Sequence, residues 1–480
     1  MNGDETATID RGDDTAALAR LGHAQELPRS FSPLALLGLA FAILNSWTAL
    51  ASASSLALPS GGTSAVLWGL VVAGACSLCQ AASLAEFLSA WPTAGGQYHW
   101  VALVAPSNTR RAMSFVTGWI NVCGWVALSA SAPFICSSFV GNIVTVFNGG
   151  HEVPAWQLFL LYVGFSSIGL GVNVFGTRLL PLINKAAFYW SMMGFVVMSI
   201  TVVACAAPNF QSAAFVYGHF ENSTGWPDGV AWLIGLLQGA FALTGFDAVA
   251  HMIEEIPEPQ IQGPRIMLGT IMIGVVTGFI SMSCLLFSAR DVDGVISSKY
   301  GPLMQMLLDA TQSAAGSVCL LLLPMMCLIF TSAMLVCTSS RMTWAFARDG
   351  GMPMSHVFNQ VHGRLGVPLN AMLWTEAWVI IFGCVNLGST SGFNAITSAS
   401  VVALGVTYAM PPAVNMARGR RMLPASRVFK LSETVGWMVN AVSILWTVLT
   451  TVLFVFPPNL PATASNMNYC IVAFGVMGLG

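Results

Sequence analysis

The sequence predicts an all-α membrane protein that crosses the bilayer about twelve times. Three observations carry that prediction: a composition too apolar for a watery surface, apolar runs of the right length, and a one-sided distribution of cations. Of 480 residues, 55% are hydrophobic and 8% charged, and the mean hydropathy is +0.73. A soluble domain carries about 25% charged residues, so lipid must solvate much of this surface. The apolar runs are Pro33–Leu58, Val66–Ala90, Phe115–Val144, Ala155–Val174, Leu182–Ala206 and Val230–Glu254, then Ile266–Phe287, Ala314–Ala345, Asn370–Val385, Ala395–Val414, Val435–Phe456 and Met467–Gly480. Most are long enough for about 30 Å of hydrocarbon; the last stops at Gly480 short of that length, so a twelfth helix is expected to be incomplete.

Cations fix the expected orientation. With the N-terminus inside, all 18 Lys and Arg except Arg290 and Lys299 fall in cytoplasmic segments, as the positive-inside rule requires. Residues 1–30 are polar, mixed in charge and unlike a cleaved secretory peptide. They read as a disordered cytoplasmic tail of a multi-pass protein, with the plasma membrane as its expected location. The sequon Asn222-Ser223-Thr224 then falls on the outer side, before the sixth run.

Several function classes drop out. No basic tract with interleaved aromatics exists, so nucleic acid is not an expected partner. The 11 Cys are scattered singly through apolar runs, where a thiol behaves as a small hydrophobe. Cys76 and Cys79 form a C-x-x-C without companion ligands, so no metal site is expected. The seven His show no i, i+4 metal pair, and no nucleophile with its base suggests an enzyme. No cofactor is expected.

The pattern that separates a carrier from other polytopic proteins is where helices should break. The first run contains Ala51-Ser52-Ala53-Ser54-Ser55, and the sixth contains Thr244-Gly245-Phe246-Asp247 at corresponding depth. A Gly beside an Asp inside a membrane helix is tolerated where backbone unwinds to line a cavity, and a central Asp costs about 2.5–3.5 kcal/mol on insertion scales. Two interrupted helices five spans apart point to an inverted-repeat transporter with its site at the repeat interface. Small residues packing helices closely would give a similar pattern in the first run alone.

Three ordered stretches carry a resemblance. Glu86-Phe87-Leu88-Ser89-Ala90-Trp91-Pro92-Thr93-Ala94-Gly95-Gly96-Gln97-Tyr98 resembles the signature after helix 2 of the amino acid–polyamine–organocation superfamily. Gly245 to Glu255 and Ser340 to Pro353 are similar to its fungal amino acid/choline permease branch. The resemblance implies a LeuT-like five-plus-five inverted repeat with helices 1 and 6 discontinuous. The ten-helix core would span residues 31–418, with repeats at about 33–206 and 230–414. Residues 419–480 would add a cytoplasmic loop and helices 11 and 12. It further implies that Ser52, Ala53, Ser54 and Ser55 present backbone amides to a substrate. Thr244, Gly245 and Asp247 would offer carbonyls and a side chain, and Phe246 would be an aromatic gate.

The branch includes transporters of choline, GABA and amino acids. Choline, with no carboxylate, needs aromatic faces for its quaternary ammonium, and Trp125 in helix 3 and Trp47 in helix 1 are candidates, with Asp247 as counter-charge. Asp247, His251 and Glu255 recur every four residues and share one helix face, which suggests a proton as coupling ion. Alternatively, Glu254 and Glu255 hold Arg110 or Arg341 in a gate. Thr331 and Ser332 match the depth at which related folds hold a cation. Glu376, in the ninth run, has no role assigned from sequence. A nutrient sensor built on the same core is the alternative from another class.

Overall fold

The computed structural model describes residues 18–19, 21–388, 390–463 and 466–467. Ten helices among them are long and apolar enough to cross a membrane, and Asp228–Ala242 is a shorter apolar eleventh. The expected twelfth run lies, beyond Met467, outside the described residues. In chain order the spans are α1 (Pro33–Leu44), α2 (Ser46–Ser52) and α3 (Ser54–Ala57); α4 (Gly62–Ala90); and, after the short α5 (Gln97–Val104), α6 (Arg110–Ser129) continued by α7 (Ser131–Phe147). There follow α8 (Ala155–Phe175), α9 (Leu180–Ala206), and α10 (Asp228–Ala242) with α11 (Ala248–His251). The last are α12 (Pro259–Ser288), α13 (Ala314–Arg348), α14 (Leu369–Gly388), α15 (Thr390–Ala417) and α16 (Glu433–Leu453).

The first span is broken at Asn45 and again, more mildly, at Ala53 within the serine stretch. Ser32 caps α1 by accepting from the Ala35 amide, with Pro33 in the first turn, and the helix stops at Asn45, which sits at φ 33°, ψ 52°. Asn tolerates this left-handed conformation better than most residues. Ser52 and Ser54 instead donate their hydroxyls to the carbonyls of Thr48 and Leu50, four residues back. Polar side chains that satisfy themselves this way remain helical. Only a kink at Ala53 (φ −97°, ψ 10°) marks that stretch.

The sixth span breaks as expected. Helix α10 ends at Ala242, residues 243–247 form a run of turns, and α11 resumes at Ala248. Gly245 at φ +99° supplies the bend that L side chains resist. A hydrogen bond ties the two breaks together: the Ser46 hydroxyl donates 2.8 Å to the carbonyl of Ala242. Helix α12 crosses this junction, with Gly274 at the crossing leaving room for the Ser46 side chain.

Within the expected disordered tail, residues 21–30 pack against the N-terminal face. Leu27 is buried with Ala94, Trp344 and Ala371, and the Gln25 amide donates to the carbonyl of Glu254. On α4, Gln80, Ser83 and Glu86 hold α16 and the loop before it. Gln80 donates to Thr447 at 3.0 Å, and Ser83 to Asn440 at 2.8 Å. Glu86 pairs with Arg420 and Arg427. Thr447 donates onward to the carbonyl of Gly405 on α15 at 3.2 Å.

Candidate functional site between the broken spans

A small pocket of about 30 Å³ lies at the two breaks, lined among others by Ile43, Asn45, Leu128, Phe241, Thr244 and Thr331. Ser131, Ile135 and Phe241 also line a vestibule of about 490 Å³, which includes Ser52, Ala53, Ser55, Phe134, Asn394, Phe454 and Phe456. Thus Ser52, Ala53 and Ser55 border the vestibule, while Ser54 is buried. The other interruption, at Asn45, lies beside the inner pocket.

Asn45 was missed as a site residue. Its Oδ1 accepts from the hydroxyls of Thr48 (3.3 Å) and Ser191 (3.1 Å). That fixes the amide orientation and leaves its buried Nδ2 with no partner. The sequence signal was available: an Asn followed by helix-compatible residues, able to take φ > 0. The hydroxyls of Ser131, Thr244 and Thr331 already donate to backbone carbonyls. The side-chain N–H of Asn45 is left with no oxygen acceptor, beside the Cys327 thiol.

Asp247 does not line either cavity. It is fully buried, and its carboxylate is surrounded by donors. Gln97 Nε2 lies 2.8 Å and Trp125 Nε1 3.2 Å from Oδ2, and the Tyr408 hydroxyl bonds Oδ1. His251 Nε2 stands 3.2 Å from Oδ2. Gln97 in turn accepts from Asn121 at 2.9 Å, and the Gly245 amide donates to the Tyr408 oxygen at 3.2 Å. The expectation that Asp247 and Trp125 face a solute is therefore not met here. Trp125 packs edge-on to the His251 ring at 5.7 Å, and Phe246 is buried against Tyr408 at 4.6 Å. Phe241, not Phe246, stands between pocket and vestibule. Trp47 is likewise committed, donating 2.9 Å to Ser191. Gln97 lay inside the recognised signature; nothing in the pattern of span 10 singled out Tyr408.

Below this network the N-terminal face is closed by two buried ion pairs. Arg341 meets Glu255 at 3.1 Å, as expected. Arg348, not Arg110, grips both oxygens of Glu254 at 3.1 and 3.0 Å while lying 4.5 Å over the Trp344 ring. Glu254 also accepts from the Ala94 amide at 2.9 Å. Glu255 is thus paired and does not continue a row with Asp247 and His251. Thr331 donates 2.6 Å to the carbonyl of Ala42 beside the break. Ser332 points away, toward Phe165 and Gly169 of α8, so the two do not act together. Glu376 sits at the α8–α14 contact, accepting from Ser166 at 2.8 Å. Among the described residues no cluster of His, Cys, Asp and Glu fits a metal ion.

A family model described as amino acid permease matches residues 34–477. Over 479 residues the chain is 32% identical to a choline transporter of Saccharomyces cerevisiae, covering 98% of this chain and 84% of that one. It is 29% identical over 495 residues to an amino-acid permease of Arabidopsis thaliana, covering 98% and 94%. It is 27% identical over 446 residues to a swainsonine transporter of Arthroderma benhamiae, covering 92% and 87%. With its apolar helices and two interrupted spans, the chain belongs to the amino acid permease family of the amino acid–polyamine–organocation superfamily, and is a multi-pass membrane transporter rather than an enzyme.

Proposed function

We propose that this permease imports choline or a closely related quaternary amine by alternating access, with a proton as the coupled ion. In this reading the N-terminal face is cytoplasmic, the membrane is the plasma membrane, and spans 1–5 and 6–10 are inverted repeats. The observation that carries it is the lining of the route. Phe134, Phe241, Phe454 and Phe456 border pocket and vestibule together with hydroxyls and amides, and no Asp, Glu, Lys or Arg among the described residues lines either.

A GABA or amino-acid carboxylate entering this route meets no cation, and an unpaired buried charge is costly. A quaternary ammonium keeps its charge at every pH, and phenyl faces attract it by about 0.5–2 kcal/mol each as water is excluded. The hydroxyl of choline would offer Asn45 Nδ2 an oxygen acceptor in place of the weaker Cys327 sulfur. At about 30 Å³ the inner pocket has room for roughly two waters, so Phe241 must swing aside to admit the trimethylammonium group.

Radiolabelled choline uptake, competed with GABA, polyamines and the standard amino acids, tests this. Choline is expected to accumulate and to compete best. Asn45→Ala is expected to abolish the preference for choline over tetramethylammonium, about five- to tenfold for one hydrogen bond. Accumulation of an amino acid with choline inert refutes the substrate. Ligand binding without accumulation refutes carriage in favour of a sensor.

A further inference from the structure

We propose that Asp247 and His251 hold one shared proton, and that this proton latches the N-terminal face shut through the carbonyl of Ala94. The inference deepens the carrier reading and rests on it for direction.

The argument is one of hydrogen-bond valence. His251 Nδ1 lies 2.9 Å from the carbonyl oxygen of Ala94. A carbonyl only accepts, so Nδ1 carries a hydrogen. In a neutral imidazole the other nitrogen, Nε2, then presents a lone pair. That lone pair faces Asp247 Oδ2 at 3.2 Å, and lone pair against carboxylate is repulsive. A proton must lie between them, on the ring or on the carboxyl. Either placement leaves the pair with no net charge, as its complete burial requires.

Apart from the Tyr408 phenol, no ionisable side chain among the described residues hydrogen-bonds this pair. From α5 the neighbour is the Gln97 amide, from α6 the Trp125 indole, and from α15 the Tyr408 hydroxyl, each bonded to the carboxylate. One turn on, Glu254 and Glu255 are occupied by Arg348 and Arg341.

Loss of the proton breaks one of two bonds. If Nδ1 keeps its hydrogen, Nε2 is driven from Asp247. If the hydrogen moves to Nε2, the Nδ1 lone pair is driven from Ala94. Ala94 belongs to the loop between α4 and α5 and is pinned on both sides, its carbonyl by His251 and its amide by Glu254. Releasing the carbonyl loosens the loop that, with the two ion pairs, covers this face. A loaded pair therefore stabilises the closed N-terminal face, and opening exposes the pair so that its proton passes to water. In an importer this holds the carrier outward-facing until the solute has bound.

Hydrogen exchange of the full chain, read by mass spectrometry on the segment 91–98 and corrected for intrinsic pH dependence, tests the latch. Opening of this segment is expected to rise with pH, because the closed face holds one proton more than the open one. The limit for one released proton is about tenfold per pH unit. Asp247→Asn and His251→Gln should each remove that slope, whatever level of exchange they show. His251→Gln retains a donor for the Ala94 carbonyl and guards against simple misfolding of the first variant. A flat wild-type profile, or either variant keeping the slope, overturns the latch. Choline uptake in the same preparations separates the two ideas: uptake with flat exchange sinks the latch alone, whereas sloped exchange without uptake of any solute supports the latch and sinks the carrier reading.

Discussion

Removing Arg341 should open the N-terminal face. Its guanidinium is 1% exposed and the Glu255 carboxylate 5%, so Arg341→Ala leaves a buried charge without compensation. Breaking a buried pair from one side costs about 3–5 kcal/mol. Once the face opens, water solvates Glu255 and that cost disappears, so the closed state alone is destabilised. At 1.4 kcal/mol per tenfold, the shift toward the open state is on the order of a hundred- to a thousandfold or more. Cys337, fully buried one turn before Arg341, is a built-in reporter. Its alkylation by a membrane-permeant maleimide, followed on its own peptide, should accelerate by a comparable factor. Arg341→Ala combined with Glu255→Gln should recover most of the protection, because the stranded charge is gone. Unchanged Cys337 labelling in the single variant, or no recovery in the double, would refute the reasoning.

Two further outcomes follow. Gly245→Ala forces an L residue to φ +99° and sets its Cβ 2.9 Å from Ile43 Cγ2; backbone strain of this kind costs about 1–3 kcal/mol, so thermal unfolding should occur at lower temperature and uptake should fall. His23 is held below its ordinary value, first by burial and then by Arg348, against the opposing pull of Asp349, Glu254 and Glu26. A lowered histidine contributes docking stability that is full above its unperturbed value of 6.5 and is lost progressively as pH falls from there through its lower docked value. Amide exchange over residues 21–31 should therefore increase on acidification. The increase should vanish in His23→Leu, with the opposite sign to the loop at Ala94.

The spans were legible because lipid imposes a length on every apolar run, and the sixth break was legible because Gly245 and Asp247 together have no place in a straight helix. In the first span the serine stretch shows only a turn at Ala53, because Ser52 and Ser54 return their hydroxyls to the preceding turn, and the break at Asn45 comes in addition. Asn45 carries a weak signal, an Asn able to take the left-handed conformation, that a single apolar run does not make decisive. Asp247 and His251 lie together as their four-residue spacing suggests, and Trp125 joins them through its indole N–H. Their mutual arrangement was not legible, since Gln97 and Tyr408 reach Asp247 from elements 150 and 161 residues away. The same holds for the gate. Arg341 was among the anticipated partners of the acidic pair, whereas Arg348 finds Glu254 only through the seating of α13.

Thr447 on α16 receives a hydrogen bond from Gln80 on α4 and gives one to the Gly405 carbonyl on α15. That hydroxyl, whose hydrogen is shared between the Gly405 carbonyl and its own helix's Ser443 carbonyl at 3.0 Å, adds a polar link to the packing of the two helices. Tilting α4 and α15 together preserves both bonds, while sliding one past the other must break one of them, at about 0.5–1.5 kcal/mol. With Asn440 and the Glu86 cluster fastening the same helix lower down, α16 works as a brace. Through these contacts α16 restrains how α4 and α15 move against each other.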